Sequence, residues 1–351
     1  MAVGETFMNK PEISVVVIGK NEIDHIRQCL QSVSEAVADM EAEIVYVDSM
    51  SNDGTVEAAC EFDISVLQLQ PQQPPSPSAG RYIGSLHTQH KFILFMDGDA
   101  LVSREWLLSA IEYMISNPDV GAVGGVIRRV WESSKGDIIK VEHDNIKQEI
   151  AEVNTLSGPI CLYRREALEK AGNWNPYLRA QEEWELDERL QATDYKIVQM
   201  PMLSGDHFVS EHSLLSEFFR LRKRTFFDSY GQMFWLCNSR QRMWRFFVES
   251  LFKTLIFVVF LSAFVATGIV GRFIGGIWWL ICPLVLFCFA QIYFTIKTRS
   301  LFRLLAFIVV QLYILWRIPI AFFKHKPGKT SEYPIEPKVI QKPKKSKDGA
   351  D

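Results

Sequence analysis

The stretch Phe92-Ile-Leu-Phe-Met-Asp-Gly-Asp-Ala100 decides the fold of this chain. Its apolar run, residues 92–96, is typical of a strand buried in a parallel sheet. The run ends at two carboxylates, Asp97 and Asp99, and ligands of open α/β sheets bind outside the carboxyl ends of the strands. Mg²⁺ is often held by one or two carboxylates together with substrate phosphates. The stretch therefore predicts a metal–diphosphate site, and the alternative is a solvated acidic loop.

The segments before this stretch alternate between strand patterns and helix patterns. Residues 13–18 are a β-branched run typical of a central strand, and apolar residues follow at helical spacing over residues 23–37. A second strand is predicted at 43–47, ending in the polar loop 48–55. This order of strand, helix, strand and polar loop predicts an α/β fold.

The segments after the stretch continue this alternation as far as residue 200. They are predicted as helix 106–116, strand 120–126, mostly helix at 138–153, strand 155–163, helix 165–171, helix 181–190 and a last strand at 196–200. His207 and His212 are expected in the loop after that strand. Together these segments predict one α/β domain over residues 1–212.

The composition excludes some classes of protein. The 351 residues carry a net charge of −3, which gives no indication of nucleic-acid binding. The six cysteines form no Cys-x-x-Cys pair and no zinc-site spacing, so buried thiols in a reducing compartment are expected. The N-terminus is polar and lacks the apolar core of a signal peptide. Lysines concentrate after residue 324, and residues 324–351 are predicted to be a basic, disordered tail.

Five features then follow one another along the chain. They are Asp48 with Asp53-Gly-Thr, Arg81, Asp97-x-Asp99, Gly158, and Glu182-Glu183-x-Glu185-Leu-x-x-Arg189. In this order, residues 11–230 resemble glycosyltransferase family 2, in particular its membrane-anchored members similar to dolichol-phosphate-sugar synthases and bacterial polysaccharide-assembly enzymes. The resemblance implies a GT-A fold, a Rossmann-like nucleotide-sugar-binding domain. It also implies an inverting, metal-dependent glycosyltransferase with a UDP- or GDP-sugar donor.

The resemblance implies a site for Mn²⁺ or Mg²⁺ at the Asp-x-Asp motif. Asp99 would coordinate the ion, and Asp97 would contact the donor ribose or a water on the ion. His207 is a candidate third ligand through its neutral imidazole. An ion there would bridge the diphosphate and stabilise charge on the departing nucleotide.

The acidic pair supplies the candidates for a general base. An acceptor hydroxyl needs a carboxylate within hydrogen-bond reach, and the resemblance implies Glu183 for this role, with Glu182 as second choice. The family usually has Asp here, so Glu moves the carboxylate by one methylene. The alternative is a solvated first helical turn, where acids are favoured by the helix dipole. Arg189 is expected to pair with these acids or to face a phosphate.

The resemblance also implies how the donor nucleotide is held. Asp48 and Asp53 match the loop that binds base and ribose, although Ser49 stands where a second Asp often reads the base. Arg81 matches an arginine that meets the diphosphate, and Tyr82 replaces the asparagine that usually follows it. Tyr82 would stack on a base or sugar, or fill a groove.

The acceptor side is predicted from aromatic and basic residues. Trp174 and Tyr177 are either a platform for a sugar or acceptor, or the packing of a loop. Residues 214–230 read as a basic amphipathic helix suited to an anionic membrane interface, or as a helix packed on the domain. Its basic residues assigned to the acceptor and the membrane are Arg220, Arg222 and Arg224.

The remaining sequence predicts a membrane region. Interfacial helices are expected over residues 213–250, and residues 251–323 contain three apolar segments, at 254–270, 273–296 and 304–323. Each is near the roughly 20 residues that a bilayer requires. With a cytoplasmic catalytic domain, three spans place the lysine-rich tail outside, against the positive-inside rule. Alternatively, one segment is re-entrant or interfacial. The predicted location is a bacterial or archaeal plasma membrane.

Several functions fit these features. The first is transfer of a sugar to a lipid-linked or membrane-delivered glycan, because a hydroxyl acceptor needs the base that the acidic pair provides. A polyprenyl phosphate acceptor is the alternative, since a phosphate needs little deprotonation. A non-catalytic nucleotide-sugar sensor or scaffold is permitted by Ser49 and Tyr82. A processive synthase is disfavoured, because Gln241-Arg-Met-Trp-Arg245 lacks the order Gln-x-x-Arg-Trp.

Overall fold

The computed structural model describes two compact units. The described residues are 10–210 except 134, 145–147 and 157, then 218, 219, 222, 226–237, 239–251, ten scattered positions between 254 and 273, and 301–344. The first unit comprises Met1–Glu211 together with Gly328–Asp351, and the second comprises His212–Pro327.

The first unit begins with parallel strands joined by helices. These elements are β1 (Glu12–Gly19), α1 (Ile26–Ala36), β2 (Glu41–Asp48), α2 (Thr55–Ala59), β3 (Ser65–Gln68), α3 (Pro77–Leu86) and β4 (Phe92–Asp97). Strands β3, β2, β1 and β4 are neighbours in that order, and all are parallel. The predicted strand at residues 92–96 is confirmed, and all of its side chains are buried.

The second half of this unit makes the sheet mixed. Its elements are β5 (Ala100–Val102), α4 (Arg104–Ser116), β6 (Val120–Glu132), β7 (Ile138–His143), β8 (Ala151–Glu152), β9 (Ile160–Arg164), α5 (Arg165–Lys170), α6 (Glu182–Gln191), β10 (Lys196–Ser210) and β11 (Lys338–Gln341). Strand β9 is antiparallel to both β4 and β6, and β10 is parallel to β6. The order across the described sheet is β11-β3-β2-β1-β4-β9-β6-β10-β5, with β7 on β6 and β8 on β10.

A hydrophobic core covers each face of the sheet. On one face, Leu94 and Met96 of β4 pack with residues of α1 and α4. On the other face, Phe95 of β4 packs with Tyr163 and Trp174. Because β4 stands in the middle of the strand order, its carboxyl end lies at the centre of the described sheet.

Two predictions about the middle of the chain are wrong. Residues 138–153 were expected to be mostly helix, but they contain β7 and β8, and β7 pairs antiparallel with β6 after a turn in which Gly136 has φ +84°. The β-branched residues of β7 favour this pairing. His207 lies within β10 and not in a following loop, because β10 continues to Ser210 alongside β6.

The predicted disordered tail differs from the structure as well. Residues 330–332 form a 3₁₀ turn, and β11 adds antiparallel to β3. A strand at the edge of a sheet exposes unpaired backbone groups, and β11 satisfies those of β3. Ile340 also packs against the core. Disorder was predicted from the many lysines of this segment, and composition alone does not show that it pairs with β3.

The second unit is helical in its described parts. Its helices include α7 (Asp228–Leu236), α8 (Arg240–Ser250) and α9 (Leu301–Lys324). The buried Asp228 of α7 accepts a 2.8 Å hydrogen bond from Arg317 of α9. Most of the predicted amphipathic helix, including Arg220 and Arg224, lies outside the described residues. Arg222 is described, and its guanidinium lies 5.9 Å from the Tyr313 ring centre.

The predicted membrane spans are only partly covered by the described residues. Residues 274–300 and much of 254–270 lie outside them, whereas α9 covers the third segment. Among the helices described, none combines the length and the apolar character needed to cross a membrane.

Candidate active site

The Asp-x-Asp turn lies at the carboxyl end of β4 and is held by neighbouring strands. Asp97 is the last residue of β4. The Gly98 N–H donates to the Ile18 carbonyl of β1 at 2.7 Å, and the Asp99 carbonyl accepts from the Phe208 N–H of β10 at 2.9 Å. The turn is thus fixed from both sides, which brings His207 of β10 beside Asp99.

Asp97, Asp99 and His207 form a cluster suited to a divalent cation. Their donor atoms lie within 4.8 Å of one another, and His207 Nε2 is 3.4 Å from Asp99 Oδ1. His207 Nδ1 is buried and has no hydrogen-bond partner among the described residues. A buried polar atom left unpaired is often explained by an ion or a water. The two carboxylates suit Mn²⁺ or Mg²⁺, and a neutral imidazole is a common metal ligand, so this donor set fits a divalent cation.

The charges of this cluster act on one another. Burial raises the pKa of Asp97 above its ordinary value, against the opposing effect of Arg81, and the nearby Asp99 adds to the rise. Burial lowers the pKa of His207, but its hydrogen bond to Asp99 and the negative charges of Asp99 and Asp97 raise it overall. Concentrated negative charge of this kind favours a bound cation.

Arg81 of α3 links this cluster to the acidic pair. Arg81 is 1 % exposed. It donates to Asp97 Oδ1 and to Glu182 Oε1 at 2.9 Å each, to the Gly158 carbonyl at 3.2 Å, and lies 3.2 Å from Glu183 Oε1. Arg81 was expected to contact the diphosphate directly. In the structure, its N–H groups donate instead to these carboxylates. Arg81 is therefore an internal counter-ion between the two parts of the site.

The acidic pair begins α6, and its two members differ in accessibility. Glu182 is buried, whereas the Glu183 side chain is 23 % exposed. Burial raises the pKa of Glu182, with a further rise from the charge of Glu183 and an opposing effect of Arg81. Glu182 is therefore suited to hold a proton within the protein. Glu183 is the member that a ligand can reach.

Gly158 gives the Glu183 carboxylate its space. A Cβ atom at residue 158 would overlap Glu183 Oε1. The loop before β9 therefore approaches the carboxylate as closely as backbone atoms allow, which requires glycine. This closeness also brings the Gly158 carbonyl within reach of Arg81.

Asp187 is a site residue that the sequence analysis missed. It is fully buried in α6 and accepts hydrogen bonds from the Leu156 N–H at 2.9 Å and from the Tyr163 hydroxyl at 3.3 Å. Burial raises its pKa to about 7, although these hydrogen bonds oppose the rise. Asp187 thus ties α6 to the loop that carries Gly158. Its spacing of four residues from Glu183, on one helix face, is the signal that identifies it.

Asp48 and Asp53 hold loops at the strand ends beside the cluster. Asp48 is fully buried and accepts from the Ser51 N–H at 2.8 Å and from Gln68 Nε2 at 2.9 Å. Asp53 accepts a hydrogen bond from the Thr55 N–H at 3.1 Å. Burial raises the pKa of Asp53, but its hydrogen bonds lower the pKa by more, so that it falls below its ordinary value. Asp48 has no exposed surface for the base or ribose contact predicted for it, whereas Asp53 is partly exposed and its predicted contact stays a prediction.

The structure corrects two residues assigned to the acceptor. Trp174 is 1 % exposed and packs edge-on against Phe95 at 5.3 Å, so it belongs to the core and forms no platform. Arg189 donates from Nε and Nη2 to Glu185 at 2.7 Å each and also bonds a backbone carbonyl. It therefore pairs with a different acid from the two expected. Both residues were assigned to the acceptor because the sequence does not show which side chains become buried or paired on folding.

Comparison with known proteins shows which protein family this chain is similar to. A family model described as "Glycosyl transferase family 2" matches residues 14–172, ending before the acidic pair. The chain is 26 % identical over 201 residues to the poly-beta-1,6-N-acetyl-D-glucosamine synthase of Staphylococcus epidermidis, covering 54 % of this chain and 48 % of that protein. It is 25 % identical over 177 residues to glycosyltransferase AglE of Haloferax volcanii, covering 48 % and 57 %. The chain spans about half the length of these curated relatives.

A solved structure shares the fold across most of the chain. A mannosyltransferase from Pyrobaculum calidifontis, in complex with GDP-Man and Mn²⁺, matches with a TM-score of 0.59 and 16 % identity, covering 90 % of this chain and 88 % of that one. The predicted α/β fold of the GT-A type is confirmed.

Proposed function

We propose that this chain, whose residues 14–172 match the glycosyltransferase family 2 model, transfers a sugar from a nucleotide-sugar donor to an acceptor hydroxyl with the help of a divalent cation. The donor is a UDP- or GDP-sugar. The structural neighbour's GDP-Man and Mn²⁺ complex supports a guanine nucleotide as one candidate. The acceptor is a lipid-linked or membrane-delivered glycan.

One observation carries this proposal. Arg81 brings the end of the Asp-x-Asp motif and the acidic pair within reach of a single guanidinium, at 2.9 Å from Asp97 and 3.2 Å from Glu183. Sugar transfer needs an anionic site for a cation and diphosphate beside a proton acceptor. A sensor that only bound the donor would have no need of a reachable carboxylate beside the cation cluster.

The accessible carboxylate has a defined task in this reaction. Glu183 takes the proton of the acceptor hydroxyl as that oxygen forms its bond to the anomeric carbon. The bond between the anomeric carbon and the diphosphate oxygen breaks, and the nucleoside diphosphate leaves with the electron pair. Attack on the face opposite the leaving group inverts the anomeric centre. Glu182 keeps its proton and accepts a hydrogen bond from Arg81, so that it does not compete for the acceptor proton.

The cation would be held by Asp97, Asp99 and His207, whose donor atoms form the cluster described above. When bound, Mn²⁺ or Mg²⁺ supplies Lewis-acid stabilisation of charge on the diphosphate. Arg81 meanwhile offsets the charge of Asp97 from the protein side and keeps that carboxylate aimed at the cluster.

Delivery of the acceptor at a membrane is part of the same proposal. It is supported by the apolar sequence of residues 254–323 and by the basic residues Arg220, Arg222 and Arg224 before it. Basic side chains near an anionic surface are attracted by about 1 kcal/mol each. The catalytic domain would then face the cytoplasm, where nucleotide sugars are found. Carbonate extraction of membranes from expressing cells tests this attachment, and recovery of the protein in the supernatant would contradict it.

The acid pair gives the sharpest test of the function. Purified full-length protein is assayed for transfer from a panel of UDP- and GDP-sugars with Mn²⁺, Mg²⁺ or excess chelator. Glu183→Gln should lower turnover by about 10²–10⁴-fold, the usual effect of losing a general base. Glu182→Gln should cost far less, because a neutral amide reproduces the protonated acid that accepts from Arg81.

Three outcomes would change the proposal. Undiminished wild-type transfer in chelator would remove the cation from it. A crippled Glu182→Gln variant with an active Glu183→Gln variant would exchange the two roles. Transfer that survives both substitutions would point to a phosphate acceptor such as a polyprenyl phosphate, which needs no base.

A further inference from the structure

The C-terminal strap, defined as residues 328–344, is built into the edge of the first unit. Strand β11 runs antiparallel to β3, with Val339 opposite Leu67. The Gln341 side chain donates to the Phe62 and Ile64 carbonyls at 2.7 and 3.1 Å. The strap is thus anchored on both the ladder and the preceding loop. It adds a strand by pairing, which gives it a fixed register.

The strap continues past the end of β3 onto the connector between β3 and α3. The Gln70 side chain donates to the Glu336 carbonyl at 2.8 Å, and the buried Gln73 donates to the Pro334 carbonyl at 2.7 Å. The Tyr333 hydroxyl donates to the Pro74 carbonyl at 3.1 Å. These bonds give a proline-rich connector partners that its own residues do not supply.

Tyr333 also reaches α3 itself. Tyr333 is 3 % exposed, and its ring lies edge-on to those of Tyr82 and Tyr177, with ring centres 6.0 and 5.3 Å away. Tyr82 directly follows Arg81 in α3. Aromatic pairs of this geometry contribute about 0.5–1.5 kcal/mol beyond the area they bury. Tyr333, near the C-terminal end of the sequence, therefore packs against the residue that directly follows Arg81 in α3. Arg81 carries the guanidinium that joins the two parts of the site.

The seat of α3 on the sheet explains why this contact matters. Gly80 packs directly against Ile18 of β1, and Ser78 donates to the Asn175 carbonyl at 2.6 Å. From this closely packed helix, Arg81 donates hydrogen bonds to the carboxylates of Asp97 and Glu182 at 2.9 Å each. A shift of about 1 Å in a positioning group can cost on the order of 10²-fold in rate. The precision of Arg81 depends on everything that holds α3 in place.

We propose that the C-terminal strap is a positioning element of the active site. Tyr333, acting through Tyr82 and the connector, holds α3 so that Arg81 stays between Asp97 and Glu182. This inference rests on the proposed function for its effect on turnover. Its structural part, the hold on α3, stands independently of that function.

The first test measures the hold on α3 in the full-length protein. Tyr333→Ala is compared with Ile335→Ala, a strap substitution at a residue that is 50 % exposed. Hydrogen–deuterium exchange of peptides covering α3 should rise in Tyr333→Ala, while peptides from α4 stay as in the wild type. Ile335→Ala should match the wild type in both regions. Unchanged exchange of α3 in Tyr333→Ala would overturn the proposal, whether or not the enzyme is active.

The second test separates positioning from general destabilisation. At a temperature where circular dichroism shows the variant folded, Tyr333→Ala should lower kcat about tenfold, a size typical of coupling between residues in contact. KM for the nucleotide sugar should change little. Tyr333→Phe keeps the ring and should restore most of the activity. Combining Tyr333→Ala with Arg81→Lys should lower kcat by less than the product of the two single losses.

Each remaining outcome has a defined meaning. A multiplicative double-variant loss would show that Tyr333 does not act through Arg81 and would overturn the proposal. An unchanged kcat alongside increased α3 exchange would also overturn it, because the strap would then only stabilise the fold. Wild-type protein that neither turns over nor binds UDP or GDP with Mn²⁺ would refute the proposed function, while the exchange of α3 would still decide the hold by the strap.

Discussion

The two sides of the candidate site differ in how fully their polar groups are satisfied. On the cation side, Asp99 and His207 are partly exposed, and His207 Nδ1 has no partner among the described residues. On the acid side, Arg81 and Asp187 are buried, and each has several hydrogen bonds within the protein. An unsatisfied side is ready for a ligand, whereas a satisfied side is a rigid support. Substitutions on the first should therefore change function, and those on the second should also change stability.

The largest effect is expected from Asp99→Ala on the cation side. Losing a ligand of a cation that contributes several kcal/mol should bring transfer below detection and abolish Mn²⁺-dependent binding of UDP or GDP, measured by calorimetry. The melting temperature without ligand should stay unchanged, because the carboxylate is partly exposed and outside the core. Asp119→Ala, which removes an exposed carboxylate paired with Lys196, serves as the control and should be active. A large fall in the melting temperature of Asp99→Ala would contradict the contrast between the two sides.

Arg81→Gln on the acid side should affect stability next. Breaking a buried charge cluster by removing one partner costs roughly 3–5 kcal/mol, because Asp97 and Glu183 would lose their counter-ion. Urea unfolding measures this loss. Arg27→Gln breaks an exposed pair with Glu61 and should leave the unfolding free energy close to that of the wild type. An Arg81→Gln protein as stable as the control would mean that the cluster is relieved by proton uptake or water.

Sequence patterns were sufficient for the parts of the molecule that depend on local order. The strand at residues 92–96 was predicted because a short apolar run that ends in acidic residues is typical of a buried strand. Strands β7 and β11 were missed, since each exists through pairing with another strand, β7 with the preceding β6 and β11 with the distant β3. Period and propensity describe one segment at a time, and an edge strand is decided by its partner.

The candidate site shows the same division. Asp97, Asp99, Glu182 and Glu183 were identified by their order, and the structure brings Asp97 and both glutamates around Arg81. Trp174 and Arg189 were misassigned because burial and the choice of ion-pair partner arise only on folding. Tyr333 was missed since its contacts, with Pro74 and Tyr82, are more than two hundred residues away in sequence.

The smallest effect concerns Asp187, and it is expected in the pH dependence of stability. Burial raises its pKa to about 7, above the value near 3.9 of an unfolded chain. The stability it contributes is therefore fully present below about pH 4 and is lost as the pH rises through 7. Asn does not titrate, so the unfolding free energy of Asp187→Asn relative to the wild type should increase by roughly 3 kcal/mol between pH 5 and pH 8. Urea unfolding at several pH values measures this difference, with Glu57→Gln as an exposed control that should show none. A pH-independent difference would mean that Asp187 is ionised throughout, and that the hydrogen bonds from Leu156 and Tyr163 outweigh its burial.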